Sequence, residues 1–407
     1  MLRRFVLLAS AIAILIATVP GSASAAAGKL RAGAGQADVT PLQTGYYLGG
    51  FTRADRLALG QHTRLFAKTI VLERGGERVA LVALDLFMIP AGMQQQIAAL
   101  AGDGFETSNV LILPTHTHSG PGGFANFPTY NTAAPSPETI TSPTSFVELL
   151  DPKPADRQLY TFLATQIAKS IRRAKRDLGP AMAGWGDGEI VGLTRNRSIE
   201  AHLANHEIIK ARGAGSPAED PEGSVHTIDP AVDVLRVDKI VRGRRVPIGG
   251  FSSFADHGTV VKAPFQAYNG DHHATAHRVF EKKVRRAGKV PKRQLVLNVY
   301  GNGNEGDMSA GLDNTGPAGA NYVGRVEAKE MFAAWKRAGS ELTRKPELDL
   351  RWTRVCFCGR QAGGGQVASE GRAGAPFFTG SEEERGPLFD VTCDVLEDRR
   401  SPTVSEN

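Results

Sequence analysis

Cysteine is scarce in this chain of 407 residues, and the three cysteines all lie near its C-terminal end: Cys356, Cys358 and Cys393. So few cysteines exclude a small scaffold held together by many disulfides. The Cys-x-Cys spacing of the first two is also a poor match to structural zinc sites. In an exported protein we expect one structural disulfide, between Cys393 and either Cys356 or Cys358.

Concentrated positive charge is also missing. The chain has 48 lysines and arginines against 42 aspartates and glutamates, a net charge of +6, and its aromatic residues make up only 7%. The basic residues are interleaved with acidic ones, and no basic stripe carries aromatic side chains. The composition therefore does not predict a nucleic-acid partner, although it is compatible with peripheral contact with an anionic membrane surface.

Long hydrophobic runs are absent except at the N-terminus. There, Arg3 and Arg4 precede the apolar run FVLLASAIAILIATV, and small residues at 22–25 offer a cleavage site of the A-x-A type. The apolar run is shorter than the roughly 20 residues that span a bilayer. Residues 1–25 are therefore predicted to be a secretory signal peptide. The mature protein is expected to be secreted or periplasmic, with no transmembrane segment after signal removal.

Glycine and proline, by contrast, are plentiful, with 46 and 23 residues, and they indicate many loops. Two apolar stretches, 65–73 and 78–87, flank Arg74-Gly75-Gly76 and predict a hairpin. Further strands are predicted at 182–193, 232–237, 246–254, 294–300 and 348–356, and helices at 91–100, 157–178, 272–287 and 323–338. Strands and helices alternate but a hairpin also occurs, so we predict an α/β fold: a mixed β-sheet with flanking helices and long loops.

The stretch from Asn109 to Gly123, NVLILPTHTHSGPGG, carries the first functional signal. Its apolar run predicts a buried strand that Pro114 ends. His116 and His118 follow before a Gly/Pro turn, and residues two apart in extended backbone point to the same side. Imidazole is the commonest metal ligand and acid–base group near neutral pH, so the pair predicts a site at the strand end. The alternative is a pair of hydrogen-bonded surface histidines.

Three other turns resemble this loop. Each follows an apolar strand and combines polar residues with Gly or Asn residues. They are TRNRS with Arg197, FADHGT with His257, and GNGNEGDMS with Ser309. Loops at one edge of a packed scaffold are where α/β enzymes build their sites, so we expect these four turns to converge. Three more histidines, at 272, 273 and 277, are expected to open a surface helix, with a second metal cluster as the alternative.

THTHSGPGG, NRS, FADHGT and GDMS, in this order and at these separations, resemble the neutral (non-lysosomal) ceramidase family. The resemblance extends from about residue 35 to about residue 390. It implies a zinc-dependent amidohydrolase that cleaves the N-acyl bond of ceramide to a sphingoid base and a fatty acid. It also implies that residues 28–407 form the family's N-terminal catalytic domain.

The resemblance further implies a role for each candidate residue. His116 and His257 would bind zinc, His118 would act as an acid–base group, and Arg197 would contact the substrate. Ser309 would lie beside the scissile amide. Zinc lowers the pKa of a bound water to about 7 and polarises a carbonyl. Water or Ser309 could therefore attack; we favour water, and the sequence does not decide between them.

Two departures from the family pattern accompany these matches. Ser309 is followed by Ala310-Gly311, where the family usually has Pro-Asn. The family also completes its zinc site with a glutamate and a tyrosine from later segments, and neither Glu305 nor the glutamates at 382–384 fit that pattern. We therefore expect a catalytic domain that is incomplete at its C-terminal end.

Several alternatives to a ceramidase remain open at this point. One is a truncated, inactive relative that at most binds lipid, and another is an amidase that acts on other N-acyl lipids. A metallo-β-lactamase-like enzyme is disfavoured because no Asp-His soon follows the first histidine pair. A serine hydrolase is disfavoured because Ser309 is not in a G-x-S-x-G turn.

Overall fold

The structure is a computed structural model. It describes residues 28–51, 53, 55–102, 104–126, 128–131, 154–199, 202, 227–362, 365–370, 380–381 and 383–385. The predicted signal peptide, Cys393, most of the long polar segment that follows the histidine loop, and the polar loop near residue 220 lie outside the described residues.

One eight-stranded sheet forms the centre of the fold. Its strands are β1 (Arg31–Asp38), β3 (Phe66–Arg74), β4 (Glu77–Leu84), β5 (Val110–Pro114), β6 (Gly179–Glu189), β8 (Ala231–Val241), β9 (Arg244–Phe254) and β11 (Leu297–Asn302). Across the sheet their order is β11-β9-β8-β6-β1-β3-β4-β5. Short two-residue strands pair apart from this sheet: β2 (Gly60–Gln61) with β10 (Ala267–Tyr268), β7 (Arg195–Asn196) with β12 (Met308–Ser309), β13 (Gln361–Ala362) with β14 (Gly365–Gln366), and β15 (Gly380–Ser381) with β16 (Glu384–Arg385).

In the part of the chain that the structure describes, four α-helices flank the sheet: α1 (Ala91–Ala101), α2 (Arg157–Arg176), α3 (Asp271–Ala287) and α4 (Gly316–Arg337). Two short 3-10 turns, Thr107–Asn109 and Pro128–Asn131, complete the helical elements described. Asp156 caps α2 by accepting hydrogen bonds from the backbone amides of Gln158 and Leu159, as a good N-cap residue does.

The sheet is mixed, and the α/β prediction is confirmed. β3 and β4 form the predicted antiparallel hairpin, whose turn places Gly75 and Gly76 at φ 64° and 95°. These angles favour glycine, which explains the sequence of the turn. In contrast, β5 runs parallel to β4, and β11 runs parallel to β9.

The sheet is folded upon itself, so that its two halves face each other. β1 and β6 join the halves through only two residue pairs. A hydrophobic cluster between the halves contains Ile70 of β3, Val237 of β8 and Val299 of β11. Helices α1 and α2 cover the outer face of the β1-β3-β4-β5 half, and α3 and α4 cover the other half. Four layers result, and the two ends of the strand order come close to each other.

Glycine lets the helices approach the sheet closely. A Cβ added at Gly35 of β1 would lie 2.2 Å from the carbonyl oxygen of Ser170 in α2. A Cβ at Gly186 of β6 would lie 2.3 Å from the carbonyl oxygen of Ala334 in α4. Such distances are far below ordinary carbon–oxygen contact, so any larger residue would push the helix away from the sheet.

Three expectations about local structure are corrected. The 348–356 segment is not a strand: Leu348 and Leu350 pack on the cluster between the sheet halves, but the described residues provide no ladder partner for the segment. The disulfide joins Cys356 to Cys358, with Cα atoms 5.4 Å apart, so the expected pairing with Cys393 is wrong. Finally, β5 is an edge strand rather than a buried one, which leaves Leu111 36% exposed.

Candidate functional site

The candidate site lies where the carboxyl ends of β5, β9 and β11 meet. β5 and β11 are the two outermost strands of the order, yet the folded sheet brings their ends into contact. The Asn302 side-chain amide donates a hydrogen bond of 2.9 Å to the carbonyl of Thr115. The loops that follow these strands carry His116, His118, His257 and Ser309. Pairing of β7 with β12 adds the turn with Arg197, so the four turns converge as predicted.

The loop with the first two histidines is held by contacts to its neighbours. The Thr117 hydroxyl donates to the carbonyl of Asn269 at 2.8 Å, and the His118 amide donates to the carbonyl of Gly258 at 3.1 Å. His116 adopts a φ of 57°, the left-handed region that costs energy for a residue with a Cβ. The rings of His116 and His118 therefore face one site through a tight turn, not through the extended backbone that the sequence suggested.

Three histidines form a compact cluster. The ring centroids of His116, His118 and His257 are 4.5 to 5.0 Å apart. One nitrogen of each ring lies within 4.8 Å of those of the other two, and the Nε2 atoms of His118 and His257 are 3.1 Å apart. Nδ1 of His116 bonds to the carbonyl of Phe87, and Nδ1 of His257 to the carbonyl of Glu305. With Nδ1 as the donor in both rings, Nε2 keeps its lone pair.

The electrostatic environment keeps these rings neutral. Burial lowers the pKa of His116, His118 and His257, and it lowers the last two well below the ordinary value. The nearby guanidinium of Arg197 lowers each pKa further. The neutral imidazole is the form that binds a metal ion.

The cluster fits a metal ion. Two nitrogens bound to one tetrahedral zinc at about 2.0–2.1 Å lie roughly 3.3 Å apart, close to the 3.1 Å between His118 and His257. Nδ1 of His118 is buried and has no hydrogen-bond partner. His118, expected to act as an acid–base group, is thus equally well placed to be a third ligand, and sequence reasoning did not anticipate this.

Ser309 lies beside the cluster at the end of β12. Its strand pairs with β7, which places Ser309 opposite Arg195 and brings the turn with Arg197 next to it. Its hydroxyl is 3.2 Å from the Thr259 hydroxyl and accepts a hydrogen bond of 2.9 Å from the amide of Gly311. Among the described residues no hydrogen bond joins Ser309 to the histidines.

Arg197 is fixed by the neighbouring turn. Its backbone amide donates to the carbonyl of Asp307, and its Nε donates to the carbonyl of Gly306 at 3.1 Å. Its Nη1 lies 3.4 Å from the carboxylate of Glu383. The guanidinium therefore makes an ion pair with another part of the same chain, in addition to facing the histidines.

Glu383 is the unexpected member of the site. Its two carboxylate oxygens lie 2.8 and 2.9 Å from the Thr259 hydroxyl, which donates one bifurcated hydrogen bond to them. The carboxylate also pairs with Lys262, and the side chain is 1% exposed. It pairs with Arg197 and Lys262 and is not part of the histidine cluster. Sequence reasoning missed Lys262, because it stands outside every motif and its partner is 121 positions away.

A second buried group lies behind the site. Helix α3 was expected to lie at the surface, but His272, His273 and His277 are all buried, because this helix face packs against β11 and α4. His272 Nδ1 is 3.1 Å from Glu327, which also accepts from the Tyr300 hydroxyl at 3.0 Å. Although burial lowers the pKa of His272, Asp256 and Glu327 raise it well above its ordinary value.

This second group supports the turns of the first. Nε2 of His272 donates to the carbonyl of His257 at 3.2 Å. The Asp256 carboxylate accepts from the amide of Ala310, next to Ser309, at 2.9 Å. Asp256, His272 and Glu327 also lie close enough to form a second group compatible with a metal. Their hydrogen bonds fix the backbone on both sides of the candidate site.

A mixed α/β scaffold that gathers neutral histidines, a serine and an arginine at strand ends is typical of metal-dependent hydrolases. Comparison with known proteins makes this class more specific. The family described as neutral/alkaline non-lysosomal ceramidase, N-terminal, matches residues 30–324. The chain therefore belongs to the neutral ceramidase family.

Individual relatives agree with this assignment. The neutral ceramidase of Mycobacterium tuberculosis is 27% identical over 295 residues, which cover 70% of this chain and 41% of the relative. That of Pseudomonas aeruginosa is 27% identical over 339 residues, covering 80% and 45%. Its crystal structure superposes with a TM-score of 0.60 at 25% identity, covering 77% of this chain and 46% of that one. The chain thus spans less than half the length of these relatives.

None of the described helices combines the length and the apolar character that crossing a bilayer requires.

Proposed function

We propose that this chain is a zinc-dependent amidohydrolase that cleaves the N-acyl bond of ceramide, releasing a sphingoid base and a fatty acid. The observation that carries the proposal is the cluster of His116, His118 and His257, whose neutral nitrogens converge on one position beside Ser309. Membership in a family whose relatives are named neutral ceramidases supports ceramide as the substrate.

The three histidines would hold the ion through Nε2. Catalytic zinc sites commonly have three protein ligands and an open position, so this set is sufficient without the family's later residues. When bound, zinc supplies a Lewis acid for the amide carbonyl and lowers the pKa of a water at the open position. The carbonyls of Phe87 and Glu305 would orient the rings of His116 and His257 by accepting their Nδ1 protons.

The other residues act on the substrate. The Arg197 guanidinium, fixed by the carbonyl of Gly306, would stabilise negative charge on the acyl oxygen or orient substrate hydroxyls. The Ser309 hydroxyl, held by the amide of Gly311, would hydrogen-bond the attacking water or attack itself. If His118 is not a ligand, its imidazole would carry a proton to the departing amine.

An inactive, lipid-binding relative is the second candidate. It is favoured by one observation: Ser309 is fully buried, and the Glu383 carboxylate occupies the neighbouring pocket. Zinc content and hydrolysis separate the two candidates, because an inactive relative needs neither.

The decisive experiment measures zinc per chain and release of fatty acid from ceramide by the purified protein. We expect near-stoichiometric zinc and hydrolysis that a chelator abolishes and added zinc restores. His116→Ala and His257→Ala should lose both, whereas the exposed His62→Gln serves as the matched control. Less than about a tenth of a zinc per chain, without hydrolysis, would refute the enzyme.

His118→Ala assigns the role of that residue. As a ligand, His118 is needed for zinc, and its loss should remove the metal together with the activity. As a proton donor only, it would leave the zinc content intact and lower kcat by roughly 100-fold or more. From the 3.1 Å separation of the two Nε2 atoms we expect the first result.

Export and domain organisation are part of the same proposal. Arg3, Arg4 and the apolar run that follows support residues 1–25 as a signal peptide, with residues 28–407 belonging to the family's N-terminal catalytic domain. Expression in a secreting host followed by N-terminal sequencing should give a start close to residue 26. Retention of the full N-terminus inside the cell would contradict export.

A further inference from the structure

A pocket for a carboxylate lies next to Ser309, and the chain itself fills it. The Glu383 carboxylate accepts one bifurcated hydrogen bond from the Thr259 hydroxyl, whose oxygen lies 2.8 and 2.9 Å from the two carboxylate oxygens. It also pairs with Lys262 and lies 3.4 Å from Nη1 of Arg197. Thr259 is 1% exposed, and the Glu383 side chain is equally buried. Two cations and a hydroxyl that surround one anion form a built site, not a chance surface contact.

Gly311 makes this pocket possible. A Cβ at this position would lie 2.1 Å from a carboxylate oxygen of Glu383 and 3.0 Å from Nζ of Lys262. A larger residue at this position would therefore make the Glu383 carboxylate and the Lys262 side chain move apart.

The position of the carboxylate indicates which part of a substrate it replaces. It bonds to Thr259, whose hydroxyl in turn is 3.2 Å from the Ser309 hydroxyl. The carboxylate thus lies one side chain away from the reacting position. The acyl carboxylate of a product would form at the reacting position itself. A second carboxylate, attached to the amine side of the amide, would instead lie one side chain away from the reacting position, as the Glu383 carboxylate does.

The charge of the pocket agrees with this reading. Without Glu383, the largely buried cations Lys262 and Arg197 would face each other beside Ser309 with no anion between them. An α-carboxylate on the amine side of a substrate would replace Glu383 and again place a negative charge between these two cations.

We propose that Thr259, Lys262 and Arg197 form a carboxylate subsite through which the site also accepts N-acyl amino acids as substrates. The inference rests on the proposed amide hydrolysis and adds a substrate class to it. Water supplies oxygen to the acyl carbon, the C–N bond breaks, and the nitrogen takes a proton. The products are a fatty acid and a free amino acid. Glu383 is an internal competitor that leaves the subsite when the substrate binds.

The test compares N-dodecanoylglycine with its uncharged analogue N-dodecanoylglycinamide and with C12-ceramide, using the zinc-loaded full chain. We expect kcat/KM for N-dodecanoylglycine to exceed that for the glycinamide by about 10-fold or more, as a charge-assisted hydrogen bond implies. Lys262→Gln should bring this ratio down towards 1, whereas the exposed Lys329→Gln should leave the ratio unchanged. Equal rates for the two glycine compounds would overturn the proposal.

Glu383→Gln provides a second variant with the opposite expectation. Removing the internal carboxylate should lower KM for N-dodecanoylglycine several-fold while KM for the glycinamide stays the same. An identical change for both compounds would mean that Glu383 merely blocks the site, and the carboxylate subsite would be wrong.

Equilibrium binding separates this inference from the proposed hydrolysis. If ceramide and both glycine compounds remain intact, the proposed hydrolysis fails, but calorimetry still tests the subsite. N-dodecanoylglycine should bind the Glu383→Gln chain about 10-fold or more tightly than the glycinamide. Equal affinities would overturn the subsite. Free dodecanoate that binds as tightly as N-dodecanoylglycine would place the acyl carboxylate there and overturn the assignment to the amine side.

Discussion

Gly50 should be indispensable for the position of His118, and its replacement tests the histidine cluster directly. Gly50 has a φ of 91°, and a Cβ there would lie 2.5 Å from Cγ and 2.6 Å from Cδ2 of the His118 ring. Carbon atoms in ordinary contact are roughly 3.5 Å apart. In Gly50→Ala the ring must therefore move by about 1 Å. Metal sites tolerate only about 0.2 Å in ligand distance.

Gly45 offers a matched control. Its φ of 94° is nearly that of Gly50, but a Cβ there would meet no atom within 4 Å. Gly45→Ala therefore carries the same backbone strain, about 1–2 kcal/mol, without displacing His118. The difference between the two variants isolates the displacement of the ring from the strain of the backbone.

We expect zinc affinity to fall by about 10–100-fold in Gly50→Ala relative to Gly45→Ala, and ceramide hydrolysis by about 100-fold, as for other misplacements of 1 Å. Competition with a chromophoric chelator measures the first, fatty acid release the second, and urea unfolding shows that both variants fold. Zinc affinity and hydrolysis within twofold of the control would refute the assignment of His118 to the metal cluster.

Two predictions concern stability. Gly35→Ala should lower the free energy of unfolding by about 1–3 kcal/mol or more, because its Cβ would overlap the backbone of α2. Gly60→Ala, with open space around it, is the control, and equal urea midpoints would contradict the close packing of β1 on α2. Tyr300→Phe should cost about 1.5–3 kcal/mol, because buried Glu327 loses a hydrogen-bond donor. Tyr322→Phe, at an exposed position on α4, is the control. If it lowers the free energy of unfolding as much as Tyr300→Phe does, the hydrogen bond to Glu327 is not the cause of the loss.

Local signals explain what the sequence predicted well. The β3–β4 hairpin follows from two apolar runs around Gly75-Gly76, which can adopt the positive φ that the turn requires. The convergence of His116, His257 and Ser309 follows from a repeated pattern, an apolar strand followed by a polar turn. In each case the information lies within about ten residues of sequence.

Long-range pairing explains what it missed. His272 is buried because Glu327, 55 positions away, provides a carboxylate partner. The carboxylate pocket depends on Lys262 and Glu383, which are 121 positions apart. The sheet folds upon itself through two residue pairs between β1 and β6, and no local sequence pattern predicts this pairing. Such contacts are set by the packing of whole elements, so periodicity along the chain does not contain them.

The contact between the ends of the two outermost strands, β5 and β11, has a consequence for the order of folding. His116 and His118 leave the ribosome long before β11, and the hydrogen bond that links the two ends of the sheet joins residues 187 positions apart. Contacts of such high sequence separation form late, because the entropy of closing the loop must be overcome first. The three-histidine cluster therefore reaches its final geometry only after the last strand of the sheet has docked. A chain stalled before β11 would carry all three histidines of the cluster without the strand that ties the two ends of the sheet together.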